Sequence, residues 1–156
     1  MPGLQRFVFE NAAYHTTSAT RGRRPLLSDP SVATAVLDAI NASRGKGHLL
    51  LLAYVLMPDH MHLLCVPGDG LTISDVMKSI KGTSAKAINR AGLMDGPVWQ
   101  RSFYDRVVRT EDQMSTTVEY IHRNPVVMGL VKAAEDYRFS SAHASASIDV
   151  DRFFQE

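Results

Sequence analysis

Two groupings in this chain combine residue types and spacings suited to chemistry on an anionic substrate: His60-Met61-His62, and Tyr120 with Asn124. Along an extended strand, residues i and i+2 project to one face, so the two imidazoles converge while Met61 turns to the other. Two convergent imidazoles beside a turn, here Pro58-Asp59, can hold a divalent ion or a phosphate. Six histidines in 156 residues produce such a spacing roughly 0.2 times by chance. The run alone is therefore a weak signal, and two exposed strand histidines are an equal reading. Tyr120 and Asn124 lie four apart on a predicted helix, hence on one face about one turn apart. A core tyrosine with its hydroxyl at the rim, and an asparagine capping the helix end before Pro125, are the ordinary readings of that pair. His15-Thr16-Thr17 supplies one of the two H-x-T/S motifs of a two-histidine phosphoesterase, but His62-Leu63-Leu64 does not supply the second. His15 reads instead as a strand residue near the site or on the surface.

The elements that must position these residues follow from periodicity and breakers. The first strand is either Phe7-Val8-Phe9 or the Thr/Ser-rich Tyr14 to Thr20, with Arg21 to Pro25 as the loop that ends it. Ser28 or Asp29 with Pro30 starts a helix carrying Val32, Ala35, Val36, Ala39 and Ile40, stopped by Gly45 and Gly47. His48 to Met57 reads as a fully buried strand, Pro58-Asp59 as a tight turn, and His60 to Val66 as the returning strand. Thr72 or Ser74 caps a second helix with Val76, Ile80, Ala85 and Ile88, ending near Ala91-Gly92. Trp99 to Val108 is the expected fourth strand. Thr110 caps a last long helix that Pro125 breaks or kinks. The order β-α-β-β-α-β plus one helix predicts an α+β, ferredoxin-like split β-α-β arrangement: an antiparallel sheet with two helices on one face and an additional C-terminal helix carrying the tyrosine.

Composition narrows the function classes. The chain has 45% hydrophobic and 21% charged residues, which excludes wholesale disorder, and a net charge of +1, which excludes a uniformly basic coat. One cysteine, Cys65, rules out an internal disulfide framework and multi-cysteine metal sites. With one thiol and no secretory signal, a reducing cytoplasm is the expected compartment. The longest apolar run, Leu49 to Met57, is about half of the ~20 residues a membrane helix needs, so no membrane partner is expected. The charge is segregated: residues 78–110 hold seven Lys/Arg against two Asp/Glu, while 132–156 are net acidic. One face meeting an anionic polymer and a merely solvated basic surface fit this equally well. Trp99, Phe103 and Tyr104, interleaved with the basic residues, suit base stacking or core packing. A single domain is expected over 1–142, with 143–156 as a tail.

The stretches Tyr54-Val-Leu-Met-Pro-Asp-His-Met-His-Leu-Leu64 and Glu119-Tyr-Ile-His-Arg-Asn-Pro-Val-Val-Met-Gly-Leu-Val131 together resemble the Y1 (IS200-like) transposases, and most of all their REP-associated tyrosine transposase branch. Supporting stretches are Lys81 to Asn89, Val98 to Arg106 and Tyr137 to Ser141, so the resemblance spans about residues 7–142. These proteins are HUH endonucleases, whose two histidines flank a hydrophobic residue as His60 and His62 flank Met61. The resemblance implies the same ferredoxin-like fold, with His60 and His62 as metal ligands, Asn124 completing the site and Tyr120 as nucleophile. It further implies Mg²⁺ or Mn²⁺, cleavage of single-stranded or hairpin DNA through a 5′-phosphotyrosine, and action as a monomer or a homodimer. Lys81, Lys86, Arg101, Arg106 and Arg109 are candidates for holding the DNA backbone, by charge and position. The chain departs from the family pattern at Val127-Met128, where Arg-Ala is frequent, which puts a DNA contact there in doubt but not the nucleophile. The alternative is a non-catalytic nucleic-acid-binding module on the same fold, but the K/R-G-F/Y-G/A-F-V-x-F/Y run of such RNA-binding domains is absent.

Overall fold

The computed structural model describes residues 12–149. Its main elements are strand β1 (Ala13–Ala19), helix α1 (Pro30–Gly45), strands β2 (Leu49–Met57) and β3 (His60–Pro67), helix α2 (Ile73–Arg90), strand β4 (Tyr104–Val108) and helix α3 (Glu111–Val127). The strands form one sheet in the order β2-β3-β1-β4, every neighbouring pair antiparallel. This is the expected split β-α-β topology: β3 lies between β1 and β2, and β1 between β3 and β4. The first strand is the Thr/Ser-rich run, while Phe7-Val8-Phe9 lies outside the described residues. No helix among the described residues is long and apolar enough to cross a membrane.

Alternation along the strands builds two cores. Met61, Leu63 and Cys65 point to one face, where they pack with Val32, Val36 and Ile40 of α1 and Val76, Met77 and Ile80 of α2. Ala53, Val55, Leu64 and Val66 line the other face, beneath Met114 and Ile121 of α3. A fully buried side chain of this size contributes about 1.5–3 kcal/mol. The α1–α2 pair on one face and α3 on the other therefore both anchor the strand that carries the histidines. One extra residue between Leu51 and Ala53 shifts the β2–β3 register, so both faces of β2 are apolar around that point.

Helix ends follow local chemistry. Asp29 accepts from the Ser31 amide, with Pro30 at the first helical position of α1. Thr72 and Asp75 form a reciprocal capping box on α2. Thr110 accepts from the Gln113 amide at the start of α3. Two expectations need correction. The fourth strand begins only at Tyr104, because Trp99 turns into the core, bridges Thr20 and donates its indole N–H to Ser84 Oγ at 3.0 Å. Pro125 does not break the last helix, which runs on to Val127 and closes at Met128 with Gly129 at φ 75°. Its ring is buried, and because proline lacks an N–H the helix forgoes one i→i−4 bond there without losing its course two residues before it ends.

After α3 the chain returns along the free side of β2. Leu56 N donates to Phe139 O, Ser141 N donates to Tyr54 O, and the Tyr137 hydroxyl donates to Leu56 O. Further on, Asp149 accepts both a bidentate pair of bonds from Arg44 and the Leu51 amide.

Candidate active site

The β2–β3 turn that presents His60 is pinned from outside the hairpin. Leu27 N donates to Pro58 O, and Thr20 N donates to Asp59 O, while the Thr20 hydroxyl lies 2.7 Å from Arg24 O and 3.1 Å from Asp59 O. His60 and His62 then project to the α3 face of the sheet, their ring centroids 5.0 Å apart and perpendicular. Their strand partners on that face come from β1, Ala19 opposite His60 and Thr17 opposite His62.

Each imidazole is oriented by its Nδ1. The Asp59 carboxyl is raised by burial but lowered more by the His60 hydrogen bond and by the charges of His60 and Arg23, and so sits below its usual range. An ionised carboxylate only accepts, so His60 donates its Nδ1–H to Asp59 Oδ1 at 2.7 Å. On His62, the Asn124 amide donates from Nδ2 to Nε2 at 3.2 Å, which leaves the ring proton on Nδ1. That Nδ1 lies 3.0 Å from both Thr17 Oγ1 and His15 Nε2. Burial, aided by neighbouring His15 and His60, pushes His62 down to about 3. Burial and then the Arg106 charge push His15 down to about 4. At neutral pH these two rings are neutral, the form that can bind a cation.

Asn124 lies inside the last turn of α3 with its side chain turned to His62, and the helix is capped further on. One turn earlier, Tyr120 is 53% exposed, not a core residue. Its ring stands perpendicular to His62 at a centroid distance of 5.4 Å and lies 5.8 Å from His15. Helix α3 holds this position through Ile121 and Pro125, which are buried beneath it. Tyr120 forms a ridge between two open clefts. One, of about 440 Å³, runs over the sheet past His15, Thr17, His62, Tyr104, Arg106 and Thr117. The other, of about 380 Å³, follows α3 past Glu119, Arg123, Asn124, Val127 and Met128.

No group of three or more His, Cys, Asp or Glu side chains among the described residues is arranged to hold a metal. The available donor set is two imidazoles and an amide. It fits a divalent ion: both Nδ1 atoms are engaged away from the site, leaving two Nε2 lone pairs, and a half-turn of the Asn124 amide would offer its oxygen.

The basic residues separate. Arg106 lines the cleft with the histidines and Tyr120. Arg109 is exposed just beyond β4, and Lys86 is exposed on α2. Lys81 and Arg101 line a different groove, between α2 and residues 97–103. Lys81 is half-buried there, its ammonium donating to the carbonyl oxygens of Gln100, Arg101 and Ser102, and burial lowers its pKa. Asp59 and Thr17 escaped the sequence reading as site residues, and Tyr104, which it marked as suited to stacking or to core packing, lines the cleft. A turn aspartate or strand threonine carries no signal until the strand pairing is known.

A model of the IS200-like transposase family matches residues 8–124. The chain is 33% identical to the REP-associated tyrosine transposase of Escherichia coli K12 over 144 residues, 92% of this chain and 84% of that protein. It is 25% identical over 109 residues to a candidate REP-associated tyrosine transposase of Haemophilus influenzae; that match spans 64% of this chain and 62% of that protein's length. The fold superimposes on a solved REP-associated tyrosine transposase bound to a REP hairpin with a TM-score of 0.74 at 26% identity, covering 94% of this chain and 83% of the other. The family match covers β1 through Asn124, all the elements that build the site, and the chain belongs to the IS200-like transposase family.

Proposed function

We propose that this chain is a metal-dependent single-strand DNA endonuclease and strand transferase, acting at hairpin-forming sequences through a 5′-phosphotyrosine on Tyr120. The observation that carries this is the half-exposed Tyr120 ring standing over His62, with the Asn124 amide one turn away on the same imidazole. A core tyrosine in that place would bury its ring; this residue is 53% exposed where two clefts join.

His60 and His62, through Nε2, and Asn124, through its amide oxygen, would hold Mg²⁺ or Mn²⁺. When bound, the ion polarises the scissile phosphate and offsets charge in the transition state, a contribution of several kcal/mol. Tyr120 attacks phosphorus, and the bond to the 3′ oxygen breaks as the tyrosyl ester forms. A phenol, with a pKa of about 10, is both a fair nucleophile and a fair leaving group. A free 3′-hydroxyl can therefore reverse the attack and join strands without a nucleotide cofactor. Hairpin DNA as substrate is supported by the relative bound to a REP hairpin.

Covalent trapping tests this reading. Labelled hairpin oligonucleotides with single-stranded arms, incubated with Mg²⁺, Mn²⁺ or EDTA, should give a metal-dependent adduct on a denaturing gel. Tyr120→Phe should abolish the adduct while leaving binding nearly intact. An adduct that survives Tyr120→Phe would refute the nucleophile, and binding without any adduct would favour the non-catalytic module. Tyr120 meets the histidines of its own chain, which supports cleavage in cis by a monomer. A mixture of Tyr120→Phe and His62→Ala chains should then stay inactive, whereas restored cleavage would mean that a homodimer exchanges tyrosines.

A further inference from the structure

Of the three aromatic residues in the basic 99–106 segment, Trp99 is 7% exposed and Phe103 packs against the core, but Tyr104 is 82% exposed. A tyrosine is large and half apolar, and leaving its ring in water forgoes burial that its two neighbours achieve. Its place in the sheet is specific. Tyr104 pairs with Thr17, and Thr17 pairs with His62, so the three share one row and one face. Arg106 lies two residues on, on the same face, opposite His15. All five residues line the 440 Å³ cleft that Tyr120 closes on one side. That volume falls within the range of sites for small ligands. The row thus runs from the histidine, across the strand threonine, to an exposed aromatic face with a guanidinium beside it.

We propose that Tyr104 is a nucleobase platform, on which the base of a nucleotide flanking the attacked phosphate stacks while Arg106 meets an adjoining backbone phosphate. This rests on the reading of the chain as a single-strand DNA nuclease and adds a subsite to it. Stacking suits a cleft of this kind because an unpaired base offers a π-face whatever its sequence. It would immobilise the strand at one point next to Tyr120, and the row of Thr17 and His62 would set the distance from that base to the attacked phosphorus. Tyr104 is on this account a positioning residue that acts on the substrate strand, with no part in bond making.

The test uses the full chain and hairpin oligonucleotides selected, from a pool with randomised single-stranded arms, for Tyr120-dependent adduct formation with the unmodified protein. Tyr104→Ala should raise KM for these oligonucleotides about tenfold, the scale of one base–aromatic stack, with kcat little changed. Tyr104→Phe and Tyr104→Trp should restore KM, since they keep the ring. An abasic nucleotide at one arm position should raise KM for the unmodified protein by a similar factor and have no further effect on Tyr104→Ala. Unchanged KM in Tyr104→Ala, with a Tyr120-dependent adduct still formed, would overturn the platform and leave the nuclease assignment standing. A loss that neither Phe nor Trp repairs would also overturn it. If no oligonucleotide in the pool forms a Tyr120-dependent adduct, the nuclease reading itself fails and takes the platform with it.

Discussion

At the scale of single residues, burial keeps two imidazoles of the site, His15 and His62, in the neutral form. His15 and His62 have folded-state values of about 4 and about 3, against 6.5 for a free imidazole. Between those limits the unfolded chain binds protons that the folded chain does not, so stability is full above about pH 6.5 and falls with the pH toward 4 and then 3. Thermal melts across that interval should show Tm declining steadily toward acid, and His15→Gln should flatten the decline. A Tm independent of pH there would mean that the folded protein accepts these protons readily. If His62 holds a cation through Nε2, protons compete for that lone pair only as the pH nears its folded value of about 3, well below the pH at which stability begins to fall.

At the scale of elements, strand β3 serves two masters by alternation. Its even-numbered residues from His60 to Val66 face α3 and the site, while Met61, Leu63 and Cys65 face α1 and α2. Met61, fully buried between the two histidines, is thus a core residue inside a chemical motif. Met61→Ala should cost about 2–5 kcal/mol in denaturant unfolding, whereas the volume-conserving Met61→Leu should cost under about 1.5 kcal/mol. Equal losses in the two variants would show that the thioether itself matters. Cys65 behaves likewise as core: burial pushes its thiol up to about 12, so it is inert at neutral pH. Gly68, just past β3, has a simpler constraint, since a Cβ there would strike the Gly47 backbone oxygen.

At the scale of the whole molecule, positive charge lies on more than one surface. Arg106 lines the cleft with His62 and Tyr120, while Lys81 and Arg101 line the groove beside α2. If Lys86, Arg101, Arg106 and Arg109 each touch a backbone phosphate of single-stranded DNA, replacing one by Ala should reduce the slope of log K against log salt by about 0.7. A slope unchanged by a given replacement removes that residue from the DNA path. Lys81 is the exception: its ammonium is committed to three carbonyl oxygens, so Lys81→Ala should chiefly loosen the 100–102 segment.

Much of this was legible in the chain itself because the signals are local. Strand alternation alone puts His60 and His62 on one face with Met61 on the other, and Thr110, Thr72 and Asp29 announce their helices by side-chain capping. The motif pair around His62 and Tyr120 carried the family, which the match over residues 8–124 bears out. What only the tertiary structure decided is long-range. The β1–β3 pairing brings His15 and Thr17 to His62 from 47 and 45 residues away. The packing of α3 on the far face of the sheet turns Asn124 from a plausible cap into a neighbour of His62, and buries Pro125 where it ends no helix. Trp99 and Tyr104, alike as aromatic residues in one basic segment, part ways because the first finds Ser84 and a core while the second lies on an edge strand facing a cleft. Sequence periodicity specifies which face of an element a side chain takes, but what lies against that face depends on contacts whose partners are distant in the chain.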